Sequence, residues 1–242
     1  MTKYIEELVS RQVRQSEMAR QRAAEAGGPC AHSVVTISRR MGSGARIVAQ
    51  KLAAELGWSL WDKELIDAMA EDGAVSRRVV EAFDEKTISE LEVFARDALG
   101  DHELGGFLYP RHLARAVASI AALGNAIILG RGANYLLPEA LHVRIDASFG
   151  FRVANMMRFE NLSREEAEAK VNESDRERAA FLMRVFGRER VKNTHYDLAI
   201  QMDRFTNDEA VRIILTATDI FCHHAHEPCN RQVSGCSETP DA

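Results

Sequence analysis

The sequence has few cysteines, no long apolar run and no zinc-type cysteine pair, and each of these absences narrows the class of protein. Its four cysteines include no CxxC pair, the usual signature of a structural zinc site. No apolar run approaches the roughly 20 residues of a membrane-spanning helix. The N-terminal segment MTKYIEELVSRQVRQ is also too charged to contain the apolar core of a signal peptide. These absences predict a cytoplasmic protein without a membrane partner, in a compartment where thiols stay reduced.

The chain also lacks an excess of positive charge. It has 31 lysines and arginines against 36 aspartates and glutamates, which gives a net charge of -5. Affinity for nucleic acid rests on a basic field, so a nucleic-acid partner is not expected. The same balance leaves room for a local basic pocket that binds a small anion. A length of 242 residues suits one α/β domain with extensions.

Three parts are predicted along the chain. Residues 1–32 form a charged N-terminal helical arm, which is interpreted either as a packing or homodimer arm or as a mobile helix. Residues 33–221 form the main domain. Residues 222–242 form a C-terminal tail that begins CHHAHEPCNRQVSGC. This cluster is interpreted as a solvated tail, with metal binding as the alternative, because its spacing does not close a tetrahedral zinc site.

From Ser33 onward, short apolar runs alternate with helical patterns, which predicts βαβ units and a parallel sheet. Capping boxes at Ser163 with Glu166 and at Thr206 with Glu209 predict two later helix starts. The charged segment of about 163–192 is interpreted as a helical excursion from the sheet. The predicted strands are 34–38, 59–61, 126–129, 142–145 and 198–202.

The loop SRRMGSGARI lies between the first predicted strand and the first helix of the main domain. Gly42 and Gly44 would let backbone N–H groups curl round an anion at the helix N-terminus. A P-loop has the same strand, glycine loop and helix, but it carries a lysine that this loop lacks. The loop is therefore either a phosphate cradle of a different kind or a tight turn.

Charged residues follow several of the other predicted strands. In a doubly wound sheet the ligand lies at the carboxyl ends of the strands, where this sequence places Asp62, Arg131, Asp146 and Asp203. An arginine at such an edge suits bidentate phosphate binding. The structural alternatives are that Asp62 caps the next helix and that Arg131 pairs with a structural carboxylate.

The stretch NESDRERAAFLMRVFGRER carries a run of arginines that includes Arg176 and Arg178. Such a run is typical of a solvated helix face. The functional alternative is a mobile lid that brings arginines onto a phosphoryl group and excludes water.

These residues together resemble the cytidylate kinase-like branch of the P-loop nucleoside monophosphate kinases. The resemblance covers roughly 33–221 and rests on three ordered blocks: TISRRMGSGARIVAQKLAAELGWSLWDKELI, ILGRGANYLLPEALHVRIDAS and ESDRERAAFLMRVFG. It implies an α/β, three-layer P-loop kinase-like fold with a five-stranded parallel sheet and a helical lid at about 163–192. It further implies ATP and Mg²⁺ as cofactors and small-molecule nucleotides as substrates.

The resemblance also implies roles for individual positions. Arg131 holds the acceptor phosphate, and Asp62 opens the acceptor pocket. Apart from the resemblance, Asp62 and Asp146 are candidate magnesium ligands, directly or through water. Arg176 and Arg178 match the lid arginines, and they join Arg46 and Arg131 as predicted catalytic residues. The predicted phosphate-binding residues are Ser38, Arg39, Arg40, Gly42, Ser43, Gly44, Ala45 and Arg46.

The loop departs from the ordinary pattern GxxxxGK. Arg39 stands at the first glycine and Ala45 at the lysine, and the usual magnesium-binding hydroxyl is missing. Arg46 follows the missing lysine directly and can bring positive charge to a phosphate. Three functions therefore stay open: a kinase for CMP or dCMP, a non-catalytic nucleotide-binding regulator, and a kinase for another small metabolite.

Overall fold

The structure, a computed structural model, describes residues 2–25, 33–72, 76, 79–83, 85–97 and 109–225. The strands of this part of the chain are β1 (Val34–Arg39), β2 (Ser59–Trp61), β3 (Ala126–Leu129), β4 (Leu141–Asp146) and β5 (Leu198–Gln201). The helices of the same residues are α1 (Thr2–Glu25), α2 (Ala45–Leu56), α3 (Lys63–Glu71), α4 (Glu85–Asp97), α5 (Tyr109–Leu123), α6 (Ala133–Leu136), α7 (Phe149–Glu160), α8 (Arg164–Phe186), α9 (Arg188–Lys192) and α10 (Asn207–Ala225).

The five strands form one parallel sheet in the order β2-β3-β1-β4-β5. Strand β1 lies at the centre, where Val35 is opposite Ile127 of β3 and Leu141 of β4. The chain first builds β2 and β3 on one side of β1 and then β4 and β5 on the other. In a sheet of this kind, a crevice lies at the carboxyl ends of the strands, next to the strand at which the direction of strand addition reverses. The predicted α/β fold with five parallel strands is confirmed, and each strand lies within one residue of its predicted bounds.

Side chains of the sheet alternate between two cores. Along β3, Ala126 and Ile128 belong to a core shared with α3 and α5, whereas Ile127 and Leu129 belong to a core shared with α2 and α10. All four are fully buried, as expected for a parallel sheet with helices on both faces. The result is a three-layer arrangement with the sheet in the middle.

Helix α1, predicted as an arm separate from the 33–221 domain, packs on the edge of the sheet. Val9 and Val13 are 0% and 8% exposed and belong to the core of α3 and α5. Gln12 Oε1 accepts a hydrogen bond of 2.8 Å from the backbone N–H of Leu60 on the edge strand β2. The apolar side chains Val9 and Val13 of α1 are therefore buried within the chain. A homodimer contact through this arm stays a prediction, and it would have to use other side chains.

The predicted lid segment forms helices α8 and α9. Helix α8 begins with the predicted capping box, in which Ser163 and Glu166 bond each other's backbone N–H groups. The whole segment was predicted to extend away from the sheet, but the C-terminal end of α8 does not, because Val185 and Phe186 are buried in the core. Phe186 stacks on Tyr135 with ring centroids 4.7 Å apart. The lid is thus anchored at this end by packing.

The last described residues are the end of α10. Cys222 is buried there, 3.1 Å from the Ser33 hydroxyl, and it is disulfide-bonded, which contradicts the reduced thiol predicted at this position. The remainder of the predicted Cys/His cluster, from residue 223 onward, lies outside the side chains that the structure describes. Among the described residues, no helix is both long and apolar enough to cross a membrane.

Candidate phosphate-binding site

The loop between β1 and α2 has a backbone that favours glycine at two points. Gly42 and Gly44 have φ angles of 79° and 83°, and Gly44 is the N-cap of α2. A Cβ atom on Gly42 would lie 2.5 Å from the carbonyl oxygen of Arg152. The first N–H groups of a helix have no partner within the helix, and its N-terminus carries partial positive charge. The loop therefore brings the N-terminus of a twelve-residue helix to the edge of the sheet, where an anion can bind.

The hydroxyl of Ser43 lies inside this loop. The residue is 1% exposed, and its Oγ has no hydrogen-bond partner among the described residues. A buried hydroxyl without a partner is uncommon, because its desolvation is not offset by a hydrogen bond. This orphaned group supports a ligand at the loop.

Helix α7 holds the loop from the outer side. The side-chain amide of Asn155 donates a hydrogen bond of 2.8 Å to the carbonyl oxygen of Gly42. Arg152 Nη1 lies 3.5 Å from the carbonyl oxygen of Met41. Two successive carbonyl groups of the loop, those of Met41 and Gly42, are thus directed at α7.

A cleft of about 490 Å³ opens between the carboxyl ends of β1 and β3 and the lid helix α8. Its lining comes from the loop, from the start of α3, from the turn after β3, from β4 and from the lid. The lining residues are Ser38, Arg39, Met41, Arg46, Lys63, Glu64, Gly130, Arg131, Gly132, Asn134, Arg144, Ser174, Glu177, Arg178, Phe181, Leu182 and Tyr196.

Positive charge dominates this lining. Burial lowers the pKa of Arg39, and burial together with the nearby charge of Arg39 lowers the pKa of Arg178 to about 10. A lowered pKa means that the surroundings disfavour the cation, which a bound anion would relieve. The cationic lining residues are Arg39, Arg46, Lys63, Arg131, Arg144 and Arg178, and the acidic ones are Glu64 and Glu177.

Arg46 extends from the first turn of α2 towards the end of β2. Its Nη2 lies 3.0 Å from Asp62 Oδ2, and its side chain is 60% exposed. Asp62 also caps α3, since its other oxygen accepts the N–H of Leu65 at 3.3 Å. Burial and the adjacent Glu64 raise the pKa of the Asp62 carboxyl. The capping role considered for Asp62 is present, and the same carboxylate holds Arg46 at the mouth of the cleft.

Arg131 is fixed by two neighbours at the end of β3. Its guanidinium pairs with Asp67 of α3 and lies over the ring of Phe181, 4.7 Å from the ring centroid. Asp67 also accepts a hydrogen bond of 2.7 Å from the hydroxyl of Tyr109. Arg131 Nε is buried without a partner among the described residues. Arg131 therefore pairs with a structural carboxylate, which is the alternative considered in the sequence analysis, and it also lines the cleft.

Asp146 lies on the other side of β1 from Asp62. Its Oδ2 accepts a hydrogen bond of 2.8 Å from Arg144 and lies 3.6 Å from Nε of Arg40. Strand β4 is three strand spacings from β2, which places the backbones that carry the two aspartates about 14 Å apart at about 4.8 Å per spacing, further than two aspartate side chains can bridge. They cannot hold one Mg²⁺ ion together. Among the described residues, no group of three or more His, Cys, Asp or Glu side chains is placed to hold a metal ion.

The cleft brings together part of the predicted set: Ser38, Arg39, Arg46, Arg131 and Arg178 all line it. Arg176 does not join them, because it lies two residues from Arg178 on the same helix, and residues so spaced do not share a face. The other predicted residues form the loop or flank the cleft without lining it: Arg40, Gly42, Ser43, Gly44, Ala45, Asp62 and Asp146.

Several cleft residues were not predicted from the sequence. Arg144 is the most identifiable of them, since it lies in strand β4 between the buried apolar residues Val143 and Ile145, two residues before the predicted Asp146. It donates to Asp146 and stacks against Tyr196, with 5.5 Å between the guanidinium carbon and the ring centroid. Asn134 in the cleft, and Asp67 behind it as the partner of Arg131, carry no comparable signal, because each lies in an ordinary helical pattern.

The fold and the cleft define a kinase-like α/β protein. More particularly, the chain belongs to the cytidylate kinase-like family, whose model matches residues 34–204. This confirms the resemblance found in the sequence. No protein of curated function matches the chain.

Three solved structures match the chain to different degrees. An uncharacterized protein from Eubacterium ventriosum ATCC 27560 is 24% identical, with a TM-score of 0.57, 78% of this chain covered and 99% of that chain. TT1252 from Thermus thermophilus is 17% identical, with a TM-score of 0.42 and coverage of 76% and 97%. Shikimate kinase from Bacteroides thetaiotaomicron is 12% identical, with a TM-score of 0.42 and coverage of 76% and 97%. The first of these shows the same overall fold.

Proposed function

We propose that the protein transfers the γ-phosphoryl group of ATP to a nucleoside monophosphate, with CMP or dCMP as the favoured acceptors. The observation that carries this proposal is the arginine-rich cleft between the glycine loop and the turn after β3. Six cationic side chains against two acidic ones suit a ligand with several negative charges. Phosphoryl transfer depends mainly on positioning and on neutralising charge, which are the tasks these residues can perform.

The two ends of the cleft would take different phosphates. The N-terminus of α2, the buried Ser43 hydroxyl and Arg46 would hold the donor phosphates. Arg131, whose guanidinium is fixed by Asp67 and Phe181, would hold the acceptor phosphate. Arg178 enters from the lid and would neutralise charge between them. A strong general base is not needed, because the acceptor phosphate is already an anion.

A magnesium ion would have fewer protein ligands than the two carboxylates that the sequence predicts. Asp62 is paired with Arg46, and Asp146 is paired with Arg144, so each carboxylate already has a cation beside it. Mg²⁺ in kinase sites is commonly held by one or two carboxylates together with substrate phosphates and water. Asp62 alone, beside Arg46, would fit that arrangement, and the ion would there neutralise phosphate charge.

The test is an ADP-release assay across the nucleoside monophosphates, with the wild type, Arg46→Ala and the control Lys51→Ala. Lys51 lies on the same helix but pairs with Asp208 on α10, outside the cleft. We expect activity with CMP or dCMP, a loss of about 100-fold in Arg46→Ala and little change in Lys51→Ala. Equal activity of Arg46→Ala and the wild type would show that arginine does not replace the missing lysine.

The pairing of both carboxylates with arginines favours one alternative, a nucleotide-binding regulator without catalysis. Such a protein would bind nucleotide equally well with and without EDTA and would release no ADP with any monophosphate. Magnesium-dependent turnover would exclude this alternative.

A further inference from the structure

We propose that Arg152 is a positioning residue that holds the lid in place through Asp175, so that Arg178 lies over the cleft. This inference rests on one part of the proposed function, namely that the cleft binds phosphate groups. The residues concerned are Arg152 on α7 and Asp175 and Arg178 on α8.

The first observation is the geometry of the Arg152–Asp175 pair. Both terminal nitrogens of Arg152 donate to the Asp175 carboxylate, at 3.1 Å and 2.9 Å. The Arg152 side chain is only 3% exposed, whereas that of Asp175 is 30% exposed. A buried guanidinium without its carboxylate would be strongly unfavourable, so the pair constrains both helices.

The second observation is the contact of Arg152 with the glycine loop. Arg152 Nη1 lies 3.5 Å from the carbonyl oxygen of Met41, and the Arg152 backbone fills the space beside Gly42. One side chain therefore contacts both the loop and the lid helix. The position of α8 is set relative to the phosphate loop and not only relative to the sheet.

The third observation is the spacing along α8. Asp175 and Arg178 are three residues apart and lie on the same side of the helix, whereas Arg176 faces elsewhere. A rotation of α8 that broke the pair would also turn Arg178 away from the cleft. The Asp175 carboxylate in addition offsets part of the repulsion between Arg178 and Arg39.

Two other contacts described between α7 and α8 define the rotation less sharply. One is an ion pair between Glu160 of α7 and Lys170 of α8, whose side chains are 40% and 44% exposed, and exposed pairs of this kind contribute little. The other is apolar. Val153 and Met156 of α7 pack with Ala167 and Val171 of α8 in a small cluster. Apolar contacts are non-directional, whereas a two-point guanidinium–carboxylate pair fixes orientation. The Arg152–Asp175 pair, with two hydrogen bonds and a buried guanidinium, therefore contributes most of the directional control of the lid.

The experiment measures binding of inorganic tripolyphosphate by calorimetry to the wild type, Asp175→Asn, Arg178→Ala and the double variant. We expect Asp175→Asn to weaken binding about tenfold, as Arg178→Ala does, and the double variant to lose no more than either single variant. The matched control is Glu168→Gln, which breaks an exposed pair with Arg164 on the same helix and should bind as the wild type does.

The outcomes separate the two proposals. A wild type that does not bind tripolyphosphate overturns the proposed function. A wild type that binds, together with an unchanged Asp175→Asn variant or with additive losses in the double variant, overturns the positioning role alone. Arg152→Lys, which keeps the charge but not the two-point contact, should repeat the loss seen in Asp175→Asn. If it does not fold, the Asp175 variants still decide, with thermal unfolding recorded for each variant.

Discussion

At the scale of single residues, most of the positive charge in the cleft comes from arginine, whereas an ordinary P-loop also contributes a lysine. Arg46 and Arg131 differ in how they are held: Arg46 is mostly exposed and pairs at the cleft mouth, whereas the Arg131 side chain is 17% exposed and fixed on two sides. A fixed guanidinium loses little freedom when a phosphate binds, which makes its contribution larger. The removal of Arg131 should therefore have the most specific effect, limited mainly to the acceptor phosphate.

We predict that Arg131→Ala lowers turnover with the monophosphate acceptor by about 100-fold and changes ATP affinity much less. The reason is that Arg131 lies at the end of β3, beyond the loop that would hold ATP. Initial rates against acceptor concentration and calorimetric ATP binding would test this. Arg131→Lys is the control, since it keeps the charge and loses the fork. Equal losses of turnover and ATP affinity would contradict the assignment of Arg131 to the acceptor.

At the scale of elements, the loop and α7 behave as one unit, because the outer surface of the loop is covered by the α7 backbone. Gly42 is the point of closest approach. A side chain there would have both an unfavourable φ and a collision with main-chain atoms, which cannot move as a flexible side chain can.

We predict that Gly42→Ala lowers the free energy of unfolding by about 2 kcal/mol or more, from the cost of a left-handed non-glycine residue and the contact with Arg152. Gly150→Ala is the matched control, since a Cβ atom there has no neighbour within 4 Å and Gly150 lies in α7. Alanine in a helix is favoured over glycine by roughly 0.5–1 kcal/mol, so the control should be neutral or stabilising. Urea unfolding of both variants gives the comparison, and equal stability of the two would refute the close approach.

The order of elements and the ends of the strands could be predicted from the sequence, because apolar alternation and turn residues are local signals. This is why the glycine loop, Arg131 and Asp146 were placed at one edge of the sheet. The order of strands in space is not a local signal, and it is this order that separates Asp62 from Asp146. Arg152 and Asp175 are 23 residues apart on two helices, and nothing in either helix pattern indicates that they meet. Helical spacing alone shows that Arg176 and Arg178 lie on different faces of a helix. It does not show which of the two faces the cleft.

At the scale of the whole molecule, the charge is unevenly distributed. The chain has a net charge of -5, whereas the described lining of the cleft is predominantly cationic. A cationic cleft in a chain of net negative charge favours a small anion that can enter the cleft over a long polyanion that needs an extended basic surface.

We predict that tripolyphosphate binds at 0.15 M salt, with an affinity that falls as salt is raised, and that a 20-base-pair DNA duplex does not compete with it. The reason is that duplex binding requires a basic surface large enough to neutralise many phosphates. Competition measured by calorimetry, at two salt concentrations, provides the check. Displacement of tripolyphosphate by the duplex at equal phosphate concentration would contradict the prediction.

The position of α1 bears on how the protein should be produced. Because α1 covers β2, a shortened protein starting at Ser33 would expose the backbone hydrogen-bonding groups of a short strand together with the apolar side chains that Val9 and Val13 now cover. Open strand edges of this kind pair with other copies. Such a fragment should aggregate at concentrations where the full chain stays monodisperse, so crystallisation and binding studies need the residues that precede the kinase-like domain.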